Sequence, residues 1–447
     1  MKKTLADLAK TAQNAIPELP SLEATTKIAI TGLSHSGKTV FITSLIDQLL
    51  NQKKVSWLTS KHRPFKVRLA PPKATMKRFD YYTFAREIKQ KSAWPNGTDT
   101  ITSTVLEFEK KSKFSFLKNS RFKLEIIDYP GEWILDIGLL NLSYEAWSTR
   151  VLTWLQESEE PEALRYLDEL KTLCDQSGGP VLEHKLHDSY CTLLHHLKER
   201  HYSLLTPGRF LMPADLAGDP LLVFAPIANT KCALHAVYKK RYDAYLHDIV
   251  RDIQLKHFHG FDRQIVLVDM VEALQHGPKC YHDMKTGLDR MLSLYSYKNR
   301  KFFFKFFPSI RNVTFVATKA DLVAASQSNN YLALLDEMTE NIRAELDISH
   351  IKTNTQVIAS VKCTQSITQQ YQGKTLSFVR GVSAKDKKLV EIYPGEMPSS
   401  YPPPTQWRAD HYAYEAFLPP QKSYKENEPF DHIHMDRVIE SLIGDLL

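Results

Sequence analysis

The sequence predicts an α/β protein with a mostly parallel central sheet, a large helical insertion and a C-terminal extension. Three observations lead to this prediction. Short apolar strand segments alternate with helical segments near both ends of the chain, residues 133–256 have helical periodicity alone, and a glycine-containing loop joins the first strand to the first helix. Alternation of strands and helices is typical of a parallel sheet with helices on both faces.

The individual elements follow from periodicity. Strands are predicted where apolar residues alternate or run together, and helices where they recur every three or four positions. The predicted strands are 27–31, 104–108, 122–127, 264–268, 313–317 and 356–359. The predicted helices are 40–50, about 76–91, 143–156, 161–175, 184–200, 233–256, 280–297, 328–346 and 434–447. Proline and glycine punctuation makes 207–222 a long ordered loop, and 364–400 is predicted to form extra strands and turns.

Composition limits the class of protein. Of the 447 residues, 43% are hydrophobic and 24% charged, as in ordinary globular proteins. The apolar runs are far shorter than the roughly 18 residues of a membrane-spanning helix. Residues 1–16 lack the continuous apolar region of a signal peptide. The five cysteines are widely spaced and include no C-x-x-C pair, which favours a reducing compartment without disulfides. We therefore expect a cytoplasmic protein.

The net charge of +7 is unevenly distributed. Residues 53–91 hold twelve Lys and Arg against Asp80 and Glu87, or 12 − 2 = +10, which leaves 7 − 10 = −3 for the rest. This segment is interpreted as a solvated surface, an anionic-lipid patch or a phosphate-binding face. No nucleic acid is expected, because no aromatic-plus-glycine recognition motif accompanies it. Residues 1–26 are predicted to form a helical arm, which either packs on the body or binds a membrane surface or partner helix.

The loop GLSHSGKT at 32–39 follows the pattern G-x-x-x-x-G-K-[ST], between a predicted strand and a predicted helix. Backbone amides at the start of a helix bind phosphate oxygens, and glycine permits their close approach. Lys38 is expected to neutralise the β and γ phosphates and Thr39 to ligate Mg²⁺. The candidate nucleotide-binding residues of this loop are Ser34, His35, Ser36, Gly37, Lys38, Thr39 and Val40.

A second candidate group follows the predicted strand 122–127, in the sequence DYPGEW. Asp128 is expected to support the Mg²⁺ shell, and Gly131 to offer its N–H to the γ-phosphate. Glu132 either positions the attacking water or forms a salt bridge with a switch residue, because a carboxylate near phosphates requires a compensating partner. For the switch threonine, Thr98 and Thr100 both lie at loop positions between the two motifs.

Base recognition is predicted from two later strand ends. Thr318, Lys319 and Asp321 lie in TKAD, which resembles the N/T-K-x-D motif of GTPases. A carboxylate such as Asp321 accepts both the N1–H and N2–H of guanine, a donor pair that adenine lacks.

Ser360, Val361 and Lys362 resemble the S-A-K element that meets guanine O6 in GTPases. A literal S-A-K at 383–385 is a rival. We prefer 360–362 because a strand pattern leads directly into it, whereas 383–385 lies in a polar loop.

These elements in this order predict a P-loop NTPase with a Ras-like G-domain that binds GTP or GDP and hydrolyses GTP with Mg²⁺. Arg209 is a candidate internal arginine finger, with a structural ion pair as the alternative. Two other functions stay open: an ATPase, and a nucleotide-dependent scaffold that does not hydrolyse.

The sequence also resembles the bacterial YcjX-like family of P-loop proteins. The blocks are TGLSHSGKTVFIT, WPNGT, LEIIDYPGEW, PGRFLMPADLAGDP, FDRQIVLVD, ATKAD, YPGE and LIGD. The resemblance implies GTP hydrolysis, a helical insertion in the G-domain, and a stress role linked to the phage-shock response with an inner-membrane protein as associate. It also implies Thr98 as the switch threonine. Localisation would then be cytoplasmic or peripheral at the inner membrane; the oligomeric state is left open.

The expected organisation has four parts. They are an arm at 1–26, a G-domain at 27–132 and 261–363, a helical insertion at 133–260, and a C-terminal extension at 364–447 packed on the G-domain.

Overall fold

The structure is a computed structural model. It describes residues 24–33, 35–52, 55–61, 65–71, 76–97, 100–110, 120–252, 260–293, 310–371, 373–407 and 411–447. Several predictions fall outside these ranges: the arm up to residue 23, Ser34 of the glycine-containing loop, Thr98 as the switch threonine, and the ends of two predicted helices at 253–256 and 294–297.

A central sheet organises the described chain. Its strands are β1 (Ala24–Gly32), β2 (Phe65–Leu69), β3 (Lys77–Arg78), β4 (Thr102–Lys110), β5 (Ser120–Asp128), β6 (Arg263–Val268), β7 (Asn312–Ala317) and β8 (Lys352–Val357). Their order is β2–β4–β5–β1–β6–β7–β8, with β3 pairing beside β4. Strand β4 is antiparallel to β2 and β5, whereas β5, β1, β6, β7 and β8 are mutually parallel. The predictions of a mostly parallel sheet and of a hairpin before residue 128 are confirmed.

Helices cover both faces of the sheet. They are α1 (Lys38–Leu50), α2 (Ser56–Lys61), α3 (Tyr81–Lys91), α4 (Gly131–Ile137), α5 (Tyr144–Ser158), α6 (Pro161–Cys174), α7 (Pro180–Glu199), α8 (Gly208–Leu211), α9 (His235–Ala244), α10 (Met270–Gln275), α11 (Pro278–Ser293), α12 (Ser328–Ile348) and α13 (Met435–Ile443). Helix α9 continues as a π-helix over Tyr245–Val250. Short 3₁₀ turns, including Ala214–Leu216 and Pro220–Leu222, occupy the predicted loop at 207–222.

Side-chain alternation along the central strands separates two cores. In β1, Ile28 and Ile30 pack with Phe41 of α1 on one face, while Ala29 packs on the other face. Successive residues of a strand point to opposite sides, so a strand covered on both faces reads as a continuous apolar run. This is why KIAI was recognisable as a buried strand.

The helical segment between β5 and β6 shares the second core with the sheet. Several of its aromatic residues are fully buried there; Trp147 stacks on Tyr242 with ring centroids 5.1 Å apart, and Tyr190 packs beside them. Large aromatic side chains bury much apolar area each, so they contribute strongly to the core that this segment shares with the sheet.

The prediction that no disulfide forms is wrong. Cys174, at the end of α6, is disulfide-bonded to Cys232, and their Cα atoms lie 4.8 Å apart. The two cysteines are 58 residues apart in sequence. Only the packing of the helical segment brings them together, so their spacing gave no signal.

The C-terminal residues form a small antiparallel sheet of β9 (Gln365–Tyr371), β10 (Lys374–Val382) and β11 (Leu389–Ile392), followed by a long irregular stretch and α13. This stretch is tied to α1, because the buried Gln48 side chain donates to the Phe430 carbonyl at 2.6 Å. Helix α13 then buries Val438 and Ile439 in the α1 core.

Two predicted elements begin or end elsewhere. Helix α3 starts at Tyr81 rather than near residue 76, because Asp80 caps it by accepting from the Thr83 N–H. Strand β8 covers 352–357, where alternating polar residues suit an edge strand with partly exposed side chains. Within the described residues, no helix is both long and apolar enough to cross a membrane.

Candidate functional site

The loop after β1 has the geometry of an anion-binding loop. His35 and Gly37 both have positive φ, 61° and 81°, and Gly37 immediately precedes α1. Helix α1 has no side-chain cap at its start, so its first N–H groups point out of the helix end. The Lys38 ammonium donates to the Gly32 carbonyl at 3.0 Å and thus folds back over the loop. The loop therefore presents amides and one cation at a single point.

The DYPGEW segment lies directly against this loop. Asp128 ends β5 and pairs in register with Ile30 of β1, so both strands end at the same edge. A Cβ on Gly131 would lie only 2.0 Å from the Gly32 carbonyl oxygen. Any side chain at 131 would thus displace the 32–39 loop, so glycine is required for this close approach of the two backbones.

Glu132 is held by the helical segment. Its Oε1 atom accepts from Lys198 Nζ at 2.9 Å, and Lys198 lies in the last turn of α7. In addition, a Cβ on Gly208 would lie 2.2 Å from the Glu132 carbonyl oxygen, so α8 packs on the backbone of the same residue. The cation partner of Glu132 is therefore a lysine of the segment between β5 and β6.

Arg209 has a structural environment. Its guanidinium stacks over the Trp133 ring, 3.4 Å from the ring centroid, and donates to the Pro213 carbonyl and to Asp215. The side chain is buried there and is not among the residues that line the cavity described below. These contacts favour the structural ion pair over the arginine finger.

The segment 318–321 is joined to the segment 359–363. The Ala320 N–H donates to the Ile358 carbonyl at 2.9 Å. The buried Asp321 carboxylate accepts from the Cys363 N–H at 2.8 Å and lies 3.1 Å from its thiol. Burial raises the pKa of Asp321, and the bonds from Cys363 oppose that shift. Cys363 therefore holds this carboxylate, a role for which the sequence offered no signal.

Lys319 makes two ion pairs with acidic residues that follow β6. Its ammonium lies against Asp269 and 3.1 Å from Glu272 Oε2. Burial alone lowers the pKa of Lys319, but the two carboxylates outweigh burial and raise it. Asp269 also caps α10 through the Glu272 N–H. The loop that carries Lys319 is thus fixed relative to the end of β6.

One cavity of about 680 Å³ connects these groups. Its volume is within the range of small-molecule sites. The predicted residues in its lining are His35, Ser36, Gly37, Lys38, Thr39, Val40, Glu132, Thr318, Lys319, Asp321, Ser360 and Val361. Asp128, Gly131 and Lys362 lie outside the described lining. Trp94, Pro95 and Gly97 close another side, so the chain just before residues 98–100 is at the cavity.

Both S-A-K candidates reach this cavity, through Val361 and Ala384. The Ala384 N–H already donates to the Ala416 carbonyl at 2.7 Å, so it has no proton to offer a ligand. The 383–385 loop forms part of the wall and is not a remote polar loop as expected. In 360–362 the Lys362 N–H is also engaged, with the Asp431 carbonyl at 2.7 Å, so that element meets the cavity through Ser360 and Val361. It stays the preferred prediction.

The residues at the loop fit a Mg²⁺ ion. Thr39 and Asp128 are both buried and offer a hydroxyl and a carboxylate, the oxygen ligands that Mg²⁺ prefers. The Thr100 hydroxyl is buried and has no hydrogen-bond partner within the part of the chain that the structure describes. The choice between Thr98 and Thr100 therefore stays open.

The fold and these contacts define a mixed α/β protein with a mostly parallel sheet and a phosphate-type loop at the edge where β1 ends. The chain belongs to the YcjX-like family, DUF463, which it matches over residues 26–447. The resemblance noted from the sequence blocks is confirmed.

Two relatives carry the name Ras-like GTPase YcjX. The protein from Escherichia coli (strain K12) is 32% identical over 451 residues, which covers 94% of this chain and 96% of the relative. The protein from Shewanella oneidensis (strain ATCC 700550 / JCM 31522 / CIP 106686 / LMG 19005 / NCIMB 14063 / MR-1) is 31% identical over 459 residues and covers 94% of both.

Proposed function

We propose that this protein is a P-loop GTPase with a Ras-like G-domain, which binds GTP or GDP and hydrolyses GTP with Mg²⁺. The observation that carries the proposal is the single cavity lined by the phosphate loop at one end and by Asp321 and Ser360 at the other. The names of both relatives support the same activity.

Each residue has a separate task in this proposal. Lys38 leaves the Gly32 carbonyl for the β and γ phosphates, and the Gly131 N–H meets the γ-phosphate. Thr39, Thr98 or Thr100, and Asp128 are the residues that would hold Mg²⁺, which would supply positive charge at the phosphate oxygens.

Glu132 accepts a hydrogen bond from the attacking water and holds it near the γ-phosphate. Its charge beside the phosphates is offset by Lys198, 2.9 Å away, which itself lines the cavity. Among the described lining residues none is an arginine, so hydrolysis is expected to be slow without an added partner.

The proposed organisation keeps residues 27–132 and 261–363 as the G-domain and 133–260 as an insertion. It is supported by the central strands, which come from those two ranges, and by the helices between them. The proposed cellular role, a switch in a phage-shock type of stress response with an inner-membrane partner or anionic lipid surface, rests on the family resemblance.

The test is calorimetric titration of the full chain with GDP, a non-hydrolysable GTP analogue and a matching ATP analogue, on the wild type and Asp321→Ala. A bidentate contact to a base edge contributes about 1–3 kcal/mol. We therefore expect Asp321→Ala to weaken guanine-nucleotide binding roughly 5- to 150-fold. Asp168→Ala, an exposed aspartate of α6, is the matched control and should bind as the wild type does.

Equal affinity for GTP and ATP analogues in wild type and variant would reject guanine recognition and favour the ATPase alternative. Phosphate release measured with GTP and Mg²⁺ distinguishes a GTPase from the second alternative, a nucleotide-dependent scaffold that does not hydrolyse. No turnover in a wild type that binds GTP tightly would favour the scaffold.

A further inference from the structure

Three side chains from distant parts of the sequence converge beside the phosphate loop. Glu272 Oε1 lies 3.5 Å from His35 Nδ1 and accepts a short hydrogen bond from His201 Nδ1. One potential metal-ligand atom from each residue lies within 4.8 Å of the other two. The predicted GTPase chemistry uses none of these three side chains.

The surroundings hold each ligand in place. Glu272 is in the first turn of α10, with its backbone N–H bonded to Asp269 and its second carboxylate oxygen on Lys319. The His201 ring is stacked on His276 with centroids 3.5 Å apart and an interplanar angle of 14°. Metal ligands oriented by such neighbours lose less freedom on binding.

The His35–Glu272 distance and the adjoining space suit a small ion, whereas His201 and Glu272 are in direct hydrogen-bond contact and must separate to admit one. Two ligand atoms about 2.0–2.1 Å from a tetrahedral Zn²⁺ are about 3.4 Å apart, close to the 3.5 Å between His35 and Glu272. A small cavity of about 10 Å³ adjoins all three side chains. That is roughly the volume one water-sized sphere occupies.

The protonation states of two of the three ligands, His35 and Glu272, are those a metal requires. Burial lowers the pKa of His35, which favours the neutral imidazole. Burial opposes ionisation of Glu272, but Lys319 and its other neighbours lower that pKa to about 2. The positive charge of Lys319 offsets one of the two carboxylates of Asp269 and Glu272. The charge of Lys198 is offset by Glu132. A net negative charge therefore faces the cluster.

We propose that His35, His201 and Glu272 form a binding site for a transition-metal dication of the Zn²⁺ class. Two imidazole nitrogens and one carboxylate are a ligand set of zinc and cobalt, whereas Mg²⁺ and Ca²⁺ take oxygen ligands. The ion displaces the proton between His201 and Glu272 and takes water as a fourth ligand from the adjoining large cavity, which all three residues line. Because His35 belongs to the phosphate loop and His201 follows α7, the bound metal clamps the helical segment to that loop.

The experiment uses the full-length, nucleotide-free protein after treatment with a chelator. Zn²⁺ is titrated by calorimetry in excess Mg²⁺, and Co²⁺ is added separately to record its visible ligand-field bands. The variants are His35→Ala and His201→Ala. His195→Ala is the matched control, because His195 is an exposed histidine of α7, the helix that His201 follows, with its Nδ1 on the Cys191 carbonyl.

We expect one equivalent of Zn²⁺ on the wild type and on His195→Ala. Removal of a residue that hydrogen-bonds to a metal ligand lowers metal affinity roughly 10- to 100-fold. Each cluster variant removes a ligand itself, so its Zn²⁺ affinity should fall by more than that. Zn²⁺ binding by both cluster variants at wild-type affinity, or no stoichiometric binding by the wild type, would overturn the proposal and leave a hydrogen-bonded His–Glu–His cluster. If His201→Ala does not fold by circular dichroism, His35→Ala alone decides, since His35 is half exposed in a loop. GDP binding is measured on every variant, so failure of the metal site and failure of the nucleotide site are distinguishable.

Discussion

Replacing Lys198 by methionine removes the cation that holds Glu132. The two side chains are 26% and 10% exposed, so the ion pair is partly buried. Breaking a fully buried pair costs about 3–5 kcal/mol, and exposed pairs contribute about 1 kcal/mol or less. For this intermediate case we expect Lys198→Met to lower the free energy of unfolding by about 1–3 kcal/mol. The double variant Glu132→Gln/Lys198→Met removes both charges of the ion pair and keeps side chains of similar size and shape.

A double-mutant cycle in urea measures the interaction between the two residues. Lys198→Met, Glu132→Gln and the double variant should give a coupling energy of about 1–2 kcal/mol, because the double variant leaves no unpaired charge. Lys171→Met is the control: Lys171 lies 3.3 Å from Asp168 with both side chains more than three-quarters exposed. Its loss should cost less than about 0.5 kcal/mol.

Hydrolysis supplies the second readout. Single-turnover GTP cleavage should slow by about 100-fold in Lys198→Met, the effect typical of losing one preorganised group at a reacting centre. GDP affinity should change far less. Additive unfolding energies in the cycle would refute the stabilising pair. An unchanged cleavage rate in Lys198→Met would refute its part in turnover, even if the coupling energy were present.

Two further predictions test the contact of DYPGEW with the phosphate loop and the buried acid of α4. Gly131→Ala should lower the free energy of unfolding by about 1–3 kcal/mol through overpacking and weaken GDP binding at least tenfold, since its Cβ would meet the Gly32 carbonyl at 2.0 Å. Gly138→Ala is the control, because a Cβ at 138 meets nothing within 4 Å. Equal GDP affinity and equal melting temperature of the two variants would contradict the contact. Burial raises the pKa of Asp136 from 3.8 to about 6, so the folded protein binds that proton more tightly than the unfolded chain. The protonated Asp136 therefore stabilises the fold by about 1.4 kcal/mol per unit of pKa difference. This contribution is fully present below pH 3.8 and is lost as the pH rises through about 6. Asp136→Asn should therefore flatten the fall in urea stability between pH 4 and 6, and an unchanged pH profile would exclude Asp136 as its source.

Much of the sheet was predictable because β1, β6 and β7 are covered on both faces and read as continuous apolar runs. The predicted position of edge strand β8 was shifted toward the C-terminus, since the polar residues that alternate along this strand obscure its apolar pattern. The 32–39 loop carries its own signature, because its backbone requires glycine at 37 and its pattern G-x-x-x-x-G-K-[ST] is read from neighbouring residues.

Other parts of the site had no local signature. The Cys363 bonds to Asp321, the Lys198 ion pair with Glu132 and the His35–Glu272–His201 cluster each join residues far apart in the chain. A lone histidine in a loop or a lysine at the end of a helix is indistinguishable from surface residues by pattern alone. The Cys174–Cys232 disulfide was missed for the same reason.

The sequence by itself determined the order of the elements, the loop GLSHSGKT between β1 and α1, and membership of the family, because periodicity and motifs are properties of neighbouring residues. The tertiary structure decided which side chains meet. Gly131 contacts Gly32 because β5 pairs with β1, and His201 reaches His35 because α7 ends beside the phosphate loop. Such contacts depend on how strands and helices pack in space, which no local stretch of residues encodes.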